Sequence, residues 1–388
     1  MLPTLDADLR ADLASLEAKD RLRSCPLASG PSRTRPELDA RPVISFCSND
    51  YLGLASHPDL ASAAIDAIAR SGLGAGASRL VAGDLPEHRE LEAALAEYLD
   101  TEAVLLFPSG YHTNLGVISA LAGPGDLVVS DHANHASIID ACRLSGARQT
   151  YYKHIDVSSA ERRLRSLAPM ARRKILVTES LFSMDGDVAP LSDLASLAAK
   201  YGAALVVDEA HSIGTLGPAG RGLCREAGVT PDVLIGTLGK AFGAAGGFAA
   251  GTTTLRSYLV NRSRTFLFTT APPPPIAAAA LAALKIIRSD DGQARRQTLA
   301  DRVLQLRAQL PSNPRSSPHS PILPIILGPD RLATDASRSL RSAGIFVQPI
   351  RPPTVPEGTA RLRITLSSSH LPEDIAALAH ALATIIPQ

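Results

Sequence analysis

From Val43 to Ala280 short apolar runs alternate with amphipathic stretches, and this alternation constrains the fold more than any other feature. The runs Ala103–Phe107, Leu127–Ser130, Lys174–Glu179, Ala204–Asp208, Val233–Thr237 and Gly247–Gly251 read as strands. Helical stretches such as Leu191–Tyr201 fall between several of them. That pattern predicts an α/β fold, with a mostly parallel sheet covered by helices on both faces. A chain of 388 residues is too long for one small core and suits two domains. Leu5, Leu9, Leu13 and Leu16 recur at helical spacing and predict an amphipathic opening helix. Ala271–Pro275 ends in four prolines and is expected to break regular structure. Pro311–Pro321, rich in Pro and Ser, reads as a loop. Beyond it a strand (Ile322–Leu327), a helix (Arg331–Ala343), strands at Ile345–Pro349 and Arg361–Leu366, and a closing helix (Pro372–Ile386) suggest a smaller α/β domain. The expected division is an N-terminal helical segment (1–42), a large domain (43–285) and a small domain (286–388).

Composition narrows the partners. With 39 basic and 38 acidic residues the net charge is +1, which favours neither nucleic acid nor a membrane surface. The longest apolar stretch, Ile276–Leu284, is too short to span a bilayer. Met1–Leu9 carries Asp6 and Asp8 and lacks the basic start of a signal peptide, so none is expected. The 4 cysteines, Cys25, Cys47, Cys142 and Cys224, are far apart, so neither a disulfide frame nor a zinc site is expected. Reduced thiols in the cytoplasm are the simple reading. Only six lysines occur, so a reactive lysine has few candidates.

Five local features carry chemistry, and each has an ordinary structural explanation beside it. Val206–His211 places Asp208 at the end of a buried strand, where open α/β sheets bind ligands. Its string Asp208-Glu209-Ala210-His211 also resembles a helicase motif, but no P-loop stands upstream: Ala241 follows Gly239-Lys240. Thr237–Gly243 sets Lys240 among glycines at the end of the next strand; a loop lysine is usually just solvated. A lysine that forms a Schiff base with an aldehyde, partnered by an Asp on a pyridinium nitrogen, is the pyridoxal-phosphate arrangement. Phe107–Asn114 runs from a strand through a small-residue turn into a helix, whose N-terminus suits a phosphate or is simply a turn. Asp131–Ser137 holds His132 and His135, three apart, with no third metal ligand evident; one of them suits a lid over a planar cofactor. In Arg351–Thr365, Arg361 and Arg363 share a strand face and suit a carboxylate, or are two solvated arginines on an edge strand.

Together, in this order and spacing, these motifs resemble the α-oxoamine synthase family, a branch of the fold-type I pyridoxal-phosphate enzymes. Ser45–Leu54, Gly74–Glu92, Thr178–Asp187 and Phe268–Pro273 also look like family motifs, so the resemblance covers most of the chain. It implies an aspartate aminotransferase-like fold and a pyridoxal 5'-phosphate cofactor held by Lys240. By the same resemblance Asp208 pairs with the pyridinium nitrogen, His211 with the ring hydroxyl, and His135 stacks on the ring. Gly110, Tyr111 and Thr237 cradle the phosphate, Ser183 lines the ring, and Thr269 and Thr270 reach the phosphate of a neighbouring subunit's cofactor. Arg363 takes the amino-acid carboxylate, Asn49 lies near the substrate, and Arg23 is a candidate for the far carboxylate of a long acyl chain. The implied reaction joins an amino acid to an acyl thioester, carried by CoA or an acyl carrier protein, with loss of CO2. Arg351–Arg363 and Asn134–Asp140 look most like the biotin-biosynthesis branch of the family, and that likeness implies L-alanine with a pimeloyl thioester; glycine or serine with another acyl chain is the alternative. A homodimer follows from the shared site. A non-catalytic partner subunit is disfavoured because Lys240 is present.

Overall fold

The computed structural model describes residues 4–310 and 316–385. Residues 311–315 of the expected Pro/Ser loop and Ile386 at the expected end of the last helix lie outside them. The chain divides into two compact units. Unit 2 comprises Asp50–Ser183 and Asp187–Thr298; unit 1 comprises Met1–Asn49, Met184–Gly186 and Leu299–Gln388.

Unit 2 is built on seven strands: β1 (Ala103–Phe107), β2 (Leu127–Asp131), β3 (Arg148–Tyr152), β4 (Lys174–Glu179), β5 (Ala204–Asp208), β6 (Val233–Thr237) and β7 (Gly247–Gly251). Their order across the sheet is β1-β7-β6-β5-β4-β2-β3. β7 pairs antiparallel with both β6 and β1, and the other neighbours are parallel. β1 and β2 are buried along their whole length, which is why they read as continuous apolar runs. Helices Gly110–Leu121 and Ala136–Ser145 bury Val117, Ile118 and Ile138 against strand residues such as Leu105, Val128 and Val177. β3 was not expected: Arg148-Gln149-Thr150-Tyr151-Tyr152 is an edge strand with only its last residue buried, so it lacks an apolar run.

Prolines were misread at one place. Pro274 and Pro275 do not break the chain but open the helix Pro274–Arg288. The first turn of a helix has no partner for its N–H groups, so proline costs nothing there.

Unit 1 carries a three-stranded antiparallel sheet of β8 (Ile322–Gly328), β9 (Gln348–Ile350) and β10 (Ala360–Thr365), in the order β8-β10-β9. Its boundaries differ from the expected 1–42, 43–285 and 286–388 division. The N-terminal stretch belongs with the C-terminal one because Ile44–Ser45 pairs in parallel with Ile345–Phe346. The helix Asp290–Gln309 runs through the Thr298/Leu299 boundary, so no loop marks it in the sequence. The opening helix forms at Leu5–Ala18, yet it buries no residue and Leu5 is 74% exposed.

Candidate active site

The C-terminal ends of β2, β4, β5 and β6 bring the candidate groups of unit 2 together. β5 ends in Asp208, which is buried. Its Oδ1 accepts the Ala210 N–H at 2.8 Å, and its Oδ2 accepts a hydrogen bond from Asn114 Nδ2 at 2.7 Å. Asn114 also donates to Ser137 Oγ at 3.0 Å, which ties β5 to the helix that follows His135. Lys240 Nζ lies 2.7 Å from His211 Nε2, and Tyr51 Oη lies 2.6 Å from His211 Nδ1. With the amine as ammonium, Nε2 accepts and the Nδ1–H donates to Tyr51, so the three side chains form one polarised chain.

His135 caps the helix Ala136–Ser145 and is exposed. Its Nδ1 lies 2.8 Å from Ser137 Oγ, and its backbone N–H donates to Glu179 Oε1. Desolvation, reinforced by Lys240 and opposed by Asp208, lowers its pKa and favours the neutral imidazole. Glu179, fully buried at the end of β4, is pushed up by burial and by Asp208, with Lys240 opposing.

The phosphate cradle was expected at Gly110, Tyr111 and Thr237. Ser109 caps the helix Gly110–Leu121, accepting from the His112 N–H. A Cβ added to Gly110 would stand 3.4 Å from Thr237 Cβ, so this glycine and β6 face each other across a narrow gap. The helix N-terminus supplies N–H donors there, and Thr237 Oγ1 accepts from the Gly239 N–H at 3.2 Å. Tyr111 is half-exposed, donates to Asp140 Oδ2, and meets the His135 ring edge-on at 6.5 Å. A carboxylate beside a pyridinium position, an amine on a loop and a helix N-terminus with a glycine gap together fit pyridoxal phosphate.

A family model described as aminotransferase class I and II matches residues 41–382. The chain belongs to this family. As a member it is a pyridoxal-phosphate enzyme. Among curated relatives, an 8-amino-7-oxononanoate synthase of Anaeromyxobacter sp. is 50% identical over 97% of this chain and 94% of its own length. Another, of Citrifermentans bemidjiense, is 45% identical over 94% of each. Among solved structures, a serine palmitoyltransferase of S. paucimobilis has a TM-score of 0.90 at 29% identity, covering 99% of each chain. An 8-amino-7-oxononanoate synthase of Francisella tularensis has a TM-score of 0.74 at 30% identity, over 88% of this chain and 96% of that one.

Family membership sets the remaining candidates in context. Ser183 is buried at the end of the Ser180–Ser183 stretch of unit 2. Thr270 is exposed, and the adjoining Ala271 N–H bonds the Ala77 carbonyl at 3.0 Å. Asn49, Arg363 and Arg23 belong to unit 1. Arg363 is buried on β10, the middle strand of its sheet, not solvated on an edge. Its Nη2 donates to Asn49 Oδ1 at 3.1 Å and its Nη1 to Thr365 Oγ1 at 2.9 Å. Arg361, on the same face, pairs with Asp185. Arg23 is exposed and donates to the Pro352 carbonyl at 3.1 Å.

Sequence reasoning missed Tyr51, Asn114, Ser137 and Glu179 as functional neighbours. Asn114 had a signal, since it stands one helical turn after Gly110 and so on the same face. Tyr51 and Glu179 lie inside the recognised motifs Ser45–Leu54 and Thr178–Asp187, but nothing local tells which side chain of a motif turns inward.

Proposed function

We propose that this acyltransferase condenses L-alanine with a pimeloyl thioester, releasing CO2 and the thiol and giving 8-amino-7-oxononanoate. The arrangement of Lys240, His211 and Tyr51 beside Asp208 carries the reading, in a chain 50% identical to an 8-amino-7-oxononanoate synthase over 97% of its length. The α-C–H bond of alanine breaks, a bond forms between that carbon and the thioester carbonyl carbon, and the C–S bond breaks, with a proton going to the departing thiolate. The bond from the α-carbon to its carboxylate then breaks, and a proton takes its place.

Pyridoxal phosphate, when bound, supplies an electron-poor ring that stabilises negative charge at the α-carbon. Lys240 would hold the cofactor, and its amine would move the proton at the α-carbon. His211 and Tyr51 orient that amine and set its proton partner. Asp208 holds the positive charge of the ring nitrogen, and Asn114 and the Ala210 N–H fix the carboxylate. His135, neutral, packs on the ring, and Ser183 lines it. Gly110, Tyr111 and Thr237 hold the phosphate. Arg363 binds the amino-acid carboxylate, and Asn49 holds the guanidinium plane. This choice of orientation decides which α-carbon bond breaks, a positional source of rate. Arg23 is the candidate for the far carboxylate of the pimeloyl chain. Thr269 and Thr270 serve a second subunit's phosphate, which makes the enzyme a homodimer. Four cysteines without a disulfide among them support a cytoplasmic location. Among the described residues no helix is long and apolar enough to cross a membrane.

The likeness to serine palmitoyltransferase supports a second reading, serine with a long acyl chain. Thiol release separates the two. Alanine, glycine and serine are crossed with pimeloyl-, acetyl-, succinyl- and palmitoyl-CoA. Release with alanine and pimeloyl-CoA alone is expected. Release with serine and palmitoyl-CoA instead would move the substrates and keep the residue roles. No release from cofactor-loaded enzyme would point to an acyl carrier protein as donor.

A further inference from the structure

His154 follows β3 and has no part in the roles above. Both of its ring nitrogens face carboxylates: Nδ1 lies 2.9 Å from Asp131 Oδ1 and Nε2 lies 2.9 Å from Asp187 Oδ2. Two carboxylate acceptors require a proton on each nitrogen, so the ring is an imidazolium. The ring stands edge-on to Phe182, with centroids 4.4 Å apart at 88°. Burial opposes the charge, and the bonds to Asp131 and Asp187 overcome it, raising the pKa to about 10.

Each carboxylate organises a loop that ends in a site residue. Asp131 closes β2. Its Oδ1 also accepts the Ala133 N–H at 2.8 Å, which shapes the turn delivering His135. Its Oδ2 accepts the Ile155 N–H at 2.9 Å. Ile155 reaches it with φ at 50°, a backbone conformation that β-branched side chains rarely adopt. On the other side the Asp187 carbonyl accepts the Phe182 N–H at 3.0 Å, closing the loop that carries Ser183. Leu181 and Val188 form an antiparallel bridge beside it. Asp187 Oδ1 is buried without a hydrogen-bond partner, so the imidazolium is what offsets its charge.

We propose that His154 is a positioning residue, which clamps the His135 turn to the Ser183 loop and thereby fixes the stacking ring against the residue lining the cofactor. The proposal rests on the roles given above to His135 and Ser183. It adds a residue whose two ring nitrogens are both taken by carboxylates of the protein. Asp131, which holds the strained Ile155, and the half-unpaired Asp187 are the two carboxylates that this one side chain joins. Metal-site partners one shell removed from the metal, when lost, typically cost about 10–100-fold, and the same range is expected here for kcat.

The test uses the holoenzyme. His154→Phe keeps the edge contact with Phe182 and removes both donors. Asp187→Asn leaves His154 in place and removes one acceptor charge. Measured are kcat and KM for alanine and pimeloyl-CoA, cofactor affinity, the visible circular dichroism of the bound cofactor, and Tm. His154→Phe is expected to lower kcat by about 10–100-fold, with both KM values within about threefold of the parent's, and to change the cofactor's dichroism. Asp187→Asn is expected to act in the same direction by less. The double variant is expected to match His154→Phe alone, since both changes break one clamp. A lower Tm with kcat and dichroism unchanged would overturn the proposal and leave His154 a purely structural residue. Should His154→Phe not fold, Asp187→Asn carries the same two outcomes. Should the parent release no thiol from alanine and pimeloyl-CoA, the substrate reading fails, and the dichroism still reports on the clamp.

Discussion

At the scale of single residues, the site is a set of buried charges that need their partners. Lys240 is the one lysine with a side-chain nitrogen on His211. Lys240→Ala is expected to abolish the borohydride-sensitive visible absorption of the purified enzyme. It is also expected to lower kcat by about 10²–10⁴-fold, the usual worth of a positioned acid/base. A retained absorption band would remove Lys240 from the cofactor. Arg363 offers a planar fork pinned by Asn49 and Thr365. Lysine cannot reproduce that fork. Arg363→Lys is therefore expected to raise KM for alanine by about 10–100-fold, from the loss of roughly 1.5–3 kcal/mol in charged hydrogen bonds. An unchanged KM would assign the carboxylate to another group. Sequence alone singled out both residues as candidates because each stands in a motif, yet it also offered a solvated edge strand as a reading of Arg363. Burial of β10 decides against that reading, and burial is a property of the sheet, not of the string.

At the scale of elements, strand ends and helix starts do the positioning. The gap between Gly110 and Thr237 is an ordinary van der Waals distance for a methyl group, so alanine fits there without strain. Gly110→Ala is expected to leave Tm close to the parent value and to weaken cofactor retention on dialysis, because the methyl occupies the cradle. Full retention would place the phosphate elsewhere. The His154 clamp gives the fold a pH signature. Its folded pKa, about 10, is raised above the ordinary imidazole value of about 6.5 through Asp131 and Asp187, the two charged groups facing it. The stability it contributes is therefore complete below about 6.5 and lost as pH rises toward 10. Thermal scans between those limits are expected to show Tm falling with pH in the parent, and less so in His154→Phe. Equal slopes would mean that the imidazole is not charged. Elements were legible where burial made them apolar, as in β1 and β2, and illegible where it did not. β3 is polar on an edge, and Pro274 with Pro275 looked like a break because their tolerance depends on being first in a helix.

At the scale of the whole molecule, the compact units are bounded differently from the sequence division because pairing joins distant segments: Ile44–Ser45 completes its ladder with Ile345–Phe346. No local signal announces such a partner. The surface of unit 2 raises a matching question about a second chain. Leu73, Leu80, Val81 and Phe268 are all more than half exposed, Val81 at 81% and Phe268 at 72%. The Ala271 N–H bonds the Ala77 carbonyl, which brings the Phe268–Ala271 stretch beside the segment of Leu80 and Val81. Apolar side chains gathered in this way commonly mark an interface. Thr269 and Thr270 lie in the same stretch, so a dimer formed here carries them toward a neighbour. Complementation tests that arrangement directly. A Lys240→Ala chain and a Thr269→Val/Thr270→Val chain are each expected to be weak alone. Mixed and reassembled, they form hybrid dimers with one doubly impaired site and one site that has an intact Lys240 and an intact partner threonine pair. Activity of the mixture above the sum of the two parents is expected if the site is shared. If each chain uses its own threonines, the hybrid contains no complete site and mixing restores nothing.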